Sequence, residues 1–156
     1  MPVAKLKEFL DRNQVPYETI PHPQAYTTQE VAAAANIPGR EVAKTVIVRI
    51  DGEMAMVVLE APDRIDLERL REVTGARTIE LAAEDEFKHV FPNCEPGAMP
   101  PFGNLWDMRV FVDQRLREDE KIAFNAGTHA EVMRLAYRDF ERLVEPVIVQ
   151  VSRGSP

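Results

Sequence analysis

Two runs of apolar and β-branched residues give the strongest pattern in the chain. Residues 43–50 (AKTVIVRI) and residues 53–61 (EMAMVVLEA) flank the dipeptide Asp51-Gly52. Asp-Gly suits the two central positions of a type I′ turn, in which both residues take positive φ. The pattern therefore predicts an antiparallel β-hairpin near the middle of the chain.

Other segments carry helix signals. Apolar residues three or four positions apart predict an amphipathic helix over residues 3–13. Thr27 and Glu30 form a capping-box signature ahead of an alanine-rich helix over residues 28–35. The remaining predicted helices cover residues 66–76, with Gly75 as the C-terminal stop, residues 84–91, and residues 137–144, which end before Pro146.

Short β-rich segments fill most of the remaining chain. They cover residues 16–20, 77–81, 107–113, 120–126 and 130–136, while residues 147–151 fit either a last strand or a tail. This order is not a repeated β-α-β unit, and neither GxGxxG nor a Walker A motif is present, which argues against a Rossmann fold. We expect a mixed α/β (or α+β) fold that forms one domain over residues 1–156.

Composition narrows the class of protein. The 156 residues are 45% apolar and 29% charged, which is typical of a soluble globular protein. No apolar run is long enough to span a membrane, and the N-terminus lacks the apolar core of a secretory signal. The single cysteine cannot form an internal disulfide, so we expect a cytoplasmic protein without a membrane partner.

The net charge limits how the protein could bind nucleic acid. A protein that grips a duplex through many phosphates is expected to be basic, but this chain has a formal net charge of −7. It also has no dense run of lysine and arginine. Any contact with nucleic acid should therefore be local, at an end or a small patch.

Lys44 lies on the apolar face of the predicted hairpin. Side chains alternate along a strand, so Lys44 shares a face with Val42, Val46, Val48 and Ile50. A buried ammonium needs a partner or an opening into a cleft, because leaving it unpaired in an apolar environment is costly. Two interpretations stay open here: a functional lysine in a cleft, or a lysine at the strand's start that extends into solvent.

Two loops give further signals. Residues 94–106 (CEPGAMPPFGNLW) combine prolines, which fix φ and remove amide donors, with glycines, which permit positive φ. Such a loop could hold an acyl group with fixed backbone groups, or it could be a stiff crossover capped by Phe102 and Trp106 in the core. Residues 124–129 (FNAGTH) place amide, hydroxyl and imidazole groups at a strand end, which is typical of ligand contacts and also of ordinary polar turns.

Several kinds of catalytic site are disfavoured. The three histidines form no closely spaced ligand pair and the lone Cys94 supplies no CxxC motif, so we expect no metal site. The only serines are Ser152 and Ser155 near the C-terminus, which argues against a serine nucleophile. A Cys94 nucleophile with a histidine base stays open, although a single cysteine more often serves packing alone.

Three of these segments together resemble a known family. Residues 22–49 (HPQAYTTQEVAAAANIPGREVAKTVIVR), the Gly-x-x-x-Pro loop at residues 97–101 and FNAGTH resemble the YbaK/prolyl-tRNA-synthetase-associated editing domains. These are free-standing relatives of the insertion domain in bacterial prolyl-tRNA synthetases, and the similarity covers about residues 3–147. It implies a single domain with a mixed, partly barrel-like β-sheet flanked by helices. It also implies hydrolysis of mischarged aminoacyl-tRNA without metal, cofactor or protein nucleophile.

The resemblance also implies the residues of the site. By analogy, Lys44 contacts the substrate near its terminal phosphate or aminoacyl group, and residues 97–101 present backbone groups to the aminoacyl moiety. The catalytic candidates are accordingly Lys44, Gly97 and Pro101, while His129 is either a base or a binding residue. The residues expected to bind substrate are Tyr26, Thr45, Ala98, Met99, Pro100, Phe102, Asn125, Gly127, Thr128 and His129.

The middle of the proline loop departs from the family's pattern. Ala98, Met99 and Pro100 stand where related sequences often carry glycine- or serine-rich residues. Met99 and Pro100 are therefore expected to shape the choice of amino acid, which stays open among alanine, serine, threonine, cysteine and their relatives.

The function implied is that of a trans-editing deacylase whose partner is a tRNA acceptor end, with an aminoacyl-tRNA synthetase as a second candidate partner. The acidic charge fits, because an acceptor end requires only a few phosphate contacts. The alternative is a non-catalytic module that keeps the pocket but binds a tRNA end, a synthetase or a small amino-acid derivative.

Overall fold

A computed structural model describes residues 4–25, 27–92, 94–95 and 97–153. The helices are α1 (Ala4–Arg12), α2 (Thr28–Ala34), α3 (Leu67–Thr74), α4 (Glu84–Phe87) and α5 (Tyr137–Val144). The strands are β1 (Glu18–Pro21), β2 (Ala43–Ile50), β3 (Glu53–Glu60), β4 (Ile79–Leu81), β5 (Arg109–Asp113), β6 (Lys121–Asn125), β7 (Glu131–Ala136) and β8 (Val147–Val149). Short 3-10 helices lie at Gly39–Glu41, Gly103–Trp106 and Gln114–Glu118.

The predicted hairpin is confirmed as β2 and β3. Their antiparallel register places Ala43 opposite Glu60 and Ile50 opposite Glu53. Asp51 and Gly52 have φ values of 50° and 87°, so both central residues take the positive φ of a type I′ turn. The Asp51 side chain also accepts hydrogen bonds from two backbone N–H groups just before β4, those of Arg77 and Thr78, each at 2.9 Å.

The strands form two sheets. The larger sheet has the order β4-β2-β3-β5-β8, and it is mixed because β5 runs parallel to both β3 and β8. The smaller sheet has the order β1-β7-β6 and is antiparallel. A parallel bridge between Val42 and Ala123 links the two sheets. The expected mixed sheet with flanking helices is confirmed, and the described strands do not close into a barrel.

Three apolar clusters hold these layers together. The main core includes Phe102, whose ring lies 5.5 Å from that of Phe124 and 5.4 Å from that of Phe140. A second cluster packs the other face of the larger sheet against Leu70 of α3. A third cluster packs Val31 of α2 against the strands at the bridge. No helix in the described ranges is long and apolar enough to cross a membrane.

The ends of several elements follow their local chemistry. Thr27 and Glu30 form the predicted capping box, with bonds of 3.0 and 3.2 Å, and α3 ends at Gly75 with φ of 71°. Helix α4 is shorter than the predicted range 84–91, because the chain turns after Phe87. In this turn the Val90 N–H donates a hydrogen bond to the Phe87 carbonyl at 2.9 Å. Residues 147–149 form a strand and not a tail, because they pair in parallel with β5.

Gly103 provides a test of packing under the proline loop. A Cβ at this position would lie 2.7 Å from Val110 Cγ2 and 2.9 Å from the backbone oxygen of Met108. Because a backbone atom cannot move aside cheaply, we expect Gly103→Ala to lower the free energy of unfolding by about 1–3 kcal/mol, measured by urea denaturation. Gly39→Ala is the control, since a Cβ there meets nothing within 4 Å. Equal stability of the two variants would contradict this assignment.

Candidate functional site

The proline loop and the loop that follows β6 are joined by hydrogen bonds. The Glu95 N–H donates to the Gly127 carbonyl at 2.7 Å, and the Gly127 N–H donates to the Ala98 carbonyl at 2.9 Å. The His129 N–H donates to Glu95 Oε2 at 3.0 Å. Two segments that are far apart in sequence therefore form one unit. The structure thus brings together the two loops that the sequence marked as candidates.

The imidazole of His129 lies against the backbone of Gly97. Gly97 has φ of +83°, and a Cβ built there would be 3.6 Å from His129 Cε1. His129 is 7% exposed, so its ring is held within the wall that the two loops form. Thr128 Oγ1 accepts a hydrogen bond from the Ala130 N–H at 3.3 Å and thereby supports the turn. A side chain at residue 97 would be strained by this φ, while its Cβ would make an ordinary van der Waals contact with the ring.

Lys44 and Asn125 approach the same region from different sheets. Val42, the residue just before β2, pairs in parallel with Ala123 of the smaller sheet. Lys44 lies two residues after Val42, and Asn125 lies two residues after Ala123. Because side chains alternate along a strand, the side chains of Lys44 and Asn125 project on the same side as those of Val42 and Ala123. Asn125 is 6% exposed, and its Oδ1 accepts no hydrogen bond within the described part of the chain.

The segment ahead of α2 forms another edge of the site. The His22 N–H donates to the Ala130 carbonyl at 2.9 Å, and the Ala25 N–H donates to the His129 carbonyl at 3.0 Å. His22 is buried, and its Nδ1 lies 2.7 Å from the Pro23 carbonyl, which fixes the ring. Tyr26, which the sequence predicted as a substrate-binding residue, lies outside the described residues.

Other predicted binding residues lie beneath the site. Met99 is 4% exposed and Phe102 is fully buried, and both belong to the main core. Pro100 and Pro101 are also buried. Thr45 alternates with Lys44 and therefore faces the opposite side of β2. The side chains of Met99 and Phe102 thus support the loop from below, while its backbone lies beside His129 and Gly127.

A buried charge cluster lies beside Lys44. Burial lowers the pKa of Lys44, and the negative charge of Asp63 opposes that shift. Arg115 forms ion pairs with Asp63 at 3.0 Å and with Glu60 at 3.6 Å. Burial, followed by the repulsion of Asp119 and Asp63, raises the pKa of Glu60 to about 7. Lys44 is therefore half-buried near an arrangement of paired charges.

The sequence analysis did not identify Glu95, Asp63, Glu60 or Arg115. Glu95 carried a signal only as the polar neighbour of the Pro-Gly turn. In the sequence, Asp63 has the features of an ordinary turn residue and Arg115 those of a surface residue. Their proximity depends on how the chain returns to the end of the hairpin. No residue pattern could have shown that pairing.

Other reactive groups were also located. Burial raises the pKa of Cys94 to about 11, so its thiol is protonated at neutral pH. No group of three histidine, cysteine or acidic residues in the described ranges is placed to hold a metal ion. A charged groove of about 510 Å³ is lined by other residues, including Arg40, Glu41, Asp119 and Arg134. Glu41 and Arg134 pair with each other at 2.8 Å, and none of the predicted site residues in the described part of the chain lines this groove.

Comparisons with curated proteins find proline–tRNA ligases. That of Bacillus mycoides (strain KBAB4) is 26% identical over 112 residues, which are 72% of this chain and 20% of the ligase. That of Shouchella clausii (strain KSM-K16) is 29% identical over 105 residues, which are 67% of this chain and 18% of the ligase. The chain thus spans about a fifth of the length of the curated relatives it matches.

Solved structures share the fold over nearly the whole chain. The crystal structure of the hypothetical protein APE2540 has a TM-score of 0.85 at 21% identity, covering 96% of this chain and 99% of that one. The structure of a proposed trans-editing enzyme for prolyl-tRNA synthetase has a TM-score of 0.81 at 16% identity, covering 96% of each chain.

The family comparison covers the whole candidate site. The model of the aminoacyl-tRNA editing domain matches residues 22–143, a range that includes Lys44, the proline loop and His129. The chain therefore belongs to the aminoacyl-tRNA editing domain family.

Proposed function

We propose that the protein is a trans-editing aminoacyl-tRNA deacylase. It hydrolyses the ester that joins a wrongly attached small amino acid to the terminal ribose of a tRNA. The observation that carries this proposal is the family match over residues 22–143, which spans all the candidate residues. Support for action in trans comes from the fold neighbour described as a proposed trans-editing enzyme for prolyl-tRNA synthetase.

The reaction requires positioning more than a strong catalytic group. A water oxygen attacks the ester carbonyl carbon, the bond to the ribose oxygen breaks, and that oxygen takes up a proton. The products are a free amino acid and a tRNA with a free terminal hydroxyl. Because an aminoacyl ester is already activated, holding ester, water and the neighbouring ribose hydroxyl in line could supply about 7–11 kcal/mol of the barrier reduction.

The site residues take roles that match their chemistry. Lys44 supplies a positive charge beside the terminal phosphate or the ester. Within residues 97–101, the prolines lack an N–H and the Ala98 N–H is bonded to the Glu95 carbonyl at 3.0 Å. Among the described residues, the amides of Gly97 and Met99 are therefore the candidate donors toward the aminoacyl group. Asn125 and His129 position the water or the terminal adenosine.

The loop's packing bears on which amino acid the site accepts. Met99 and Pro100 are buried under the loop, so their bulk sets how far its backbone stands from the substrate. Each methylene in such a pocket is worth about 1–3 kcal/mol of discrimination. The amino acids in question are alanine, serine, threonine and cysteine. The partner is a tRNA acceptor end in the cytoplasm, and a synthetase is the second candidate partner.

Lys44→Ala tests the site assignment. With a panel of tRNAs mischarged with small amino acids, we expect wild type to deacylate at least one of them well above the buffer rate. Lys44→Ala should lower kcat/KM on that substrate at least about 100-fold, since a charged contact to substrate is lost. Lys88→Ala removes an exposed lysine that pairs only loosely with Asp85, at 3.8 Å, and should leave activity unchanged.

The outcomes of this panel separate the candidate functions. No deacylation of any substrate by wild type would favour the non-catalytic module that binds a tRNA end. Full activity of Lys44→Ala would show that the site is elsewhere. Loss of wild-type activity on chelation would indicate a metal-dependent hydrolase.

Cys94→Ala tests whether a protein thiol takes part. Because burial raises the pKa of Cys94 to about 11, its thiolate fraction at neutral pH is very small. We expect Cys94→Ala to keep kcat/KM within about twofold of wild type, and wild-type Cys94 to react only slowly with maleimide at neutral pH. A folded but inactive Cys94→Ala variant would support the alternative in which the Cys94 thiol is the nucleophile.

A further inference from the structure

Asp63 is a fully buried carboxylate at the end of the hairpin that carries Lys44. It is 0% exposed, and among the described residues its side-chain oxygens have an ion pair with Arg115 but no hydrogen bond of good geometry. The Asp63 N–H donates to the Glu60 carbonyl at 3.0 Å, which closes a turn after β3. The Ala61 N–H donates to the Val42 carbonyl at 2.8 Å, which holds this turn beside the first residues of β2. The carboxylate thus lies at the end of the hairpin where Lys44 begins its strand.

The charges around Asp63 call for a second cation. Arg115 Nη1 lies 3.0 Å from Asp63 Oδ2, and Arg115 Nε lies 3.6 Å from Glu60 Oε1. One guanidinium therefore serves two buried carboxylates. A buried carboxylate without a counter-charge is strongly unfavourable. Lys44 is the half-buried cation on the neighbouring strand; burial lowers its pKa, and the negative charge of Asp63 opposes that shift.

We propose that Asp63 is a positioning residue: its buried carboxylate, anchored by Arg115, is the counter-charge that holds the Lys44 ammonium at the candidate site. The pairing of Asp63 with Lys44 does not depend on the proposed function. Its effect on deacylation rests on the proposed function.

Other charged groups near this pair act on different partners. Glu60 lies opposite Ala43 in the hairpin, and its side chain therefore leaves the sheet on the face opposite to that of Lys44. Asp119 and Glu118, at the end of the Gln114–Glu118 helix, act on Glu60. Within the described residues, Asp63 is thus the acidic group whose charge reaches Lys44.

The first experiment measures the charge of Lys44 without any substrate. Asp63→Asn keeps the shape of the side chain but removes its charge, so burial alone would act on Lys44 and its pKa would fall further. The neutral, reactive amine fraction should then rise. At about pH 8 we expect Lys44 to react about tenfold faster with acetic anhydride than in wild type, as measured by peptide mass spectrometry.

Asp66→Asn is the matched control. Asp66 Oδ1 accepts the Arg69 N–H at 3.1 Å as the N-cap of α3, a role that asparagine also fulfils. The same change of charge is thus made three residues away in an intact fold. Lys44 should react at the wild-type rate in this variant. Unchanged Lys44 reactivity in Asp63→Asn, equal to that in Asp66→Asn, would overturn the pairing.

The second experiment follows the deacylation of the best substrate from the tRNA panel. If the Lys44 charge binds substrate, Asp63→Asn should raise KM several-fold at about pH 9.5 and leave it near wild type at about pH 6.5. The alkaline limb of kcat/KM should move about one unit toward lower pH. A purely structural role for Asp63 would instead lower activity equally at both pH values, and that result would overturn the proposal.

Arg115→Gln keeps the proposal testable if Asp63→Asn does not fold. Removing the anchor leaves Lys44 as the cation beside the Asp63 carboxylate, so Lys44 should react no faster than in wild type. A tenfold faster reaction would overturn the pairing. If Lys44 reactivity responds as expected but wild type deacylates no tRNA, the pairing stands and the proposed function fails.

Discussion

The parallel bridge between Val42 and Ala123 is the constraint on which the site depends. Both residues are fully buried, and the small side chain of Ala123 allows the two strands to come close. The Val42 carbonyl also accepts the Ala61 N–H at 2.8 Å, so the same point fixes the turn that carries Asp63. Because both strands leave the bridge in one direction, Lys44 and Asn125 are placed together by backbone geometry.

The loops at the site depend on each other in a similar way. The proline loop could not present a defined surface alone, since a loop without regular structure has few internal bonds. Its pairing with Gly127 and the bond from the His129 N–H to Glu95 supply them. Positive φ at Gly97 and Gly127 lets the two backbones approach closely enough for these bonds. The loop is stiff because Ala98, Met99 and Phe102 are buried beneath it, while Gly97 beside His129 stays exposed.

Local signals explain which parts of the fold could be predicted. The Asp51-Gly52 turn, the capping box at Thr27 and the stop at Gly75 each depend on a few neighbouring residues, and the structure has all three. The predicted length of helix α4 was too great, because Phe91 continues the apolar spacing of the helix. In the structure the helix ends before Phe91, whose ring packs against Trp106. The division into two sheets depends on pairing between distant strands, which periodicity does not encode.

The charges around Lys44 illustrate the same limit. At physiological ionic strength, exposed charges act over only about 8 Å, so the net charge of −7 matters less than the groups around Lys44. Lys44 and Arg115 are balanced there by Asp63 and Glu60. Burial, followed by the negative charges of Asp119 and Asp63, raises the pKa of Glu60 to about 7, so that carboxyl carries only part of its charge near neutral pH. The sequence could show the acidic total, but only the fold could show which of these charges lie together.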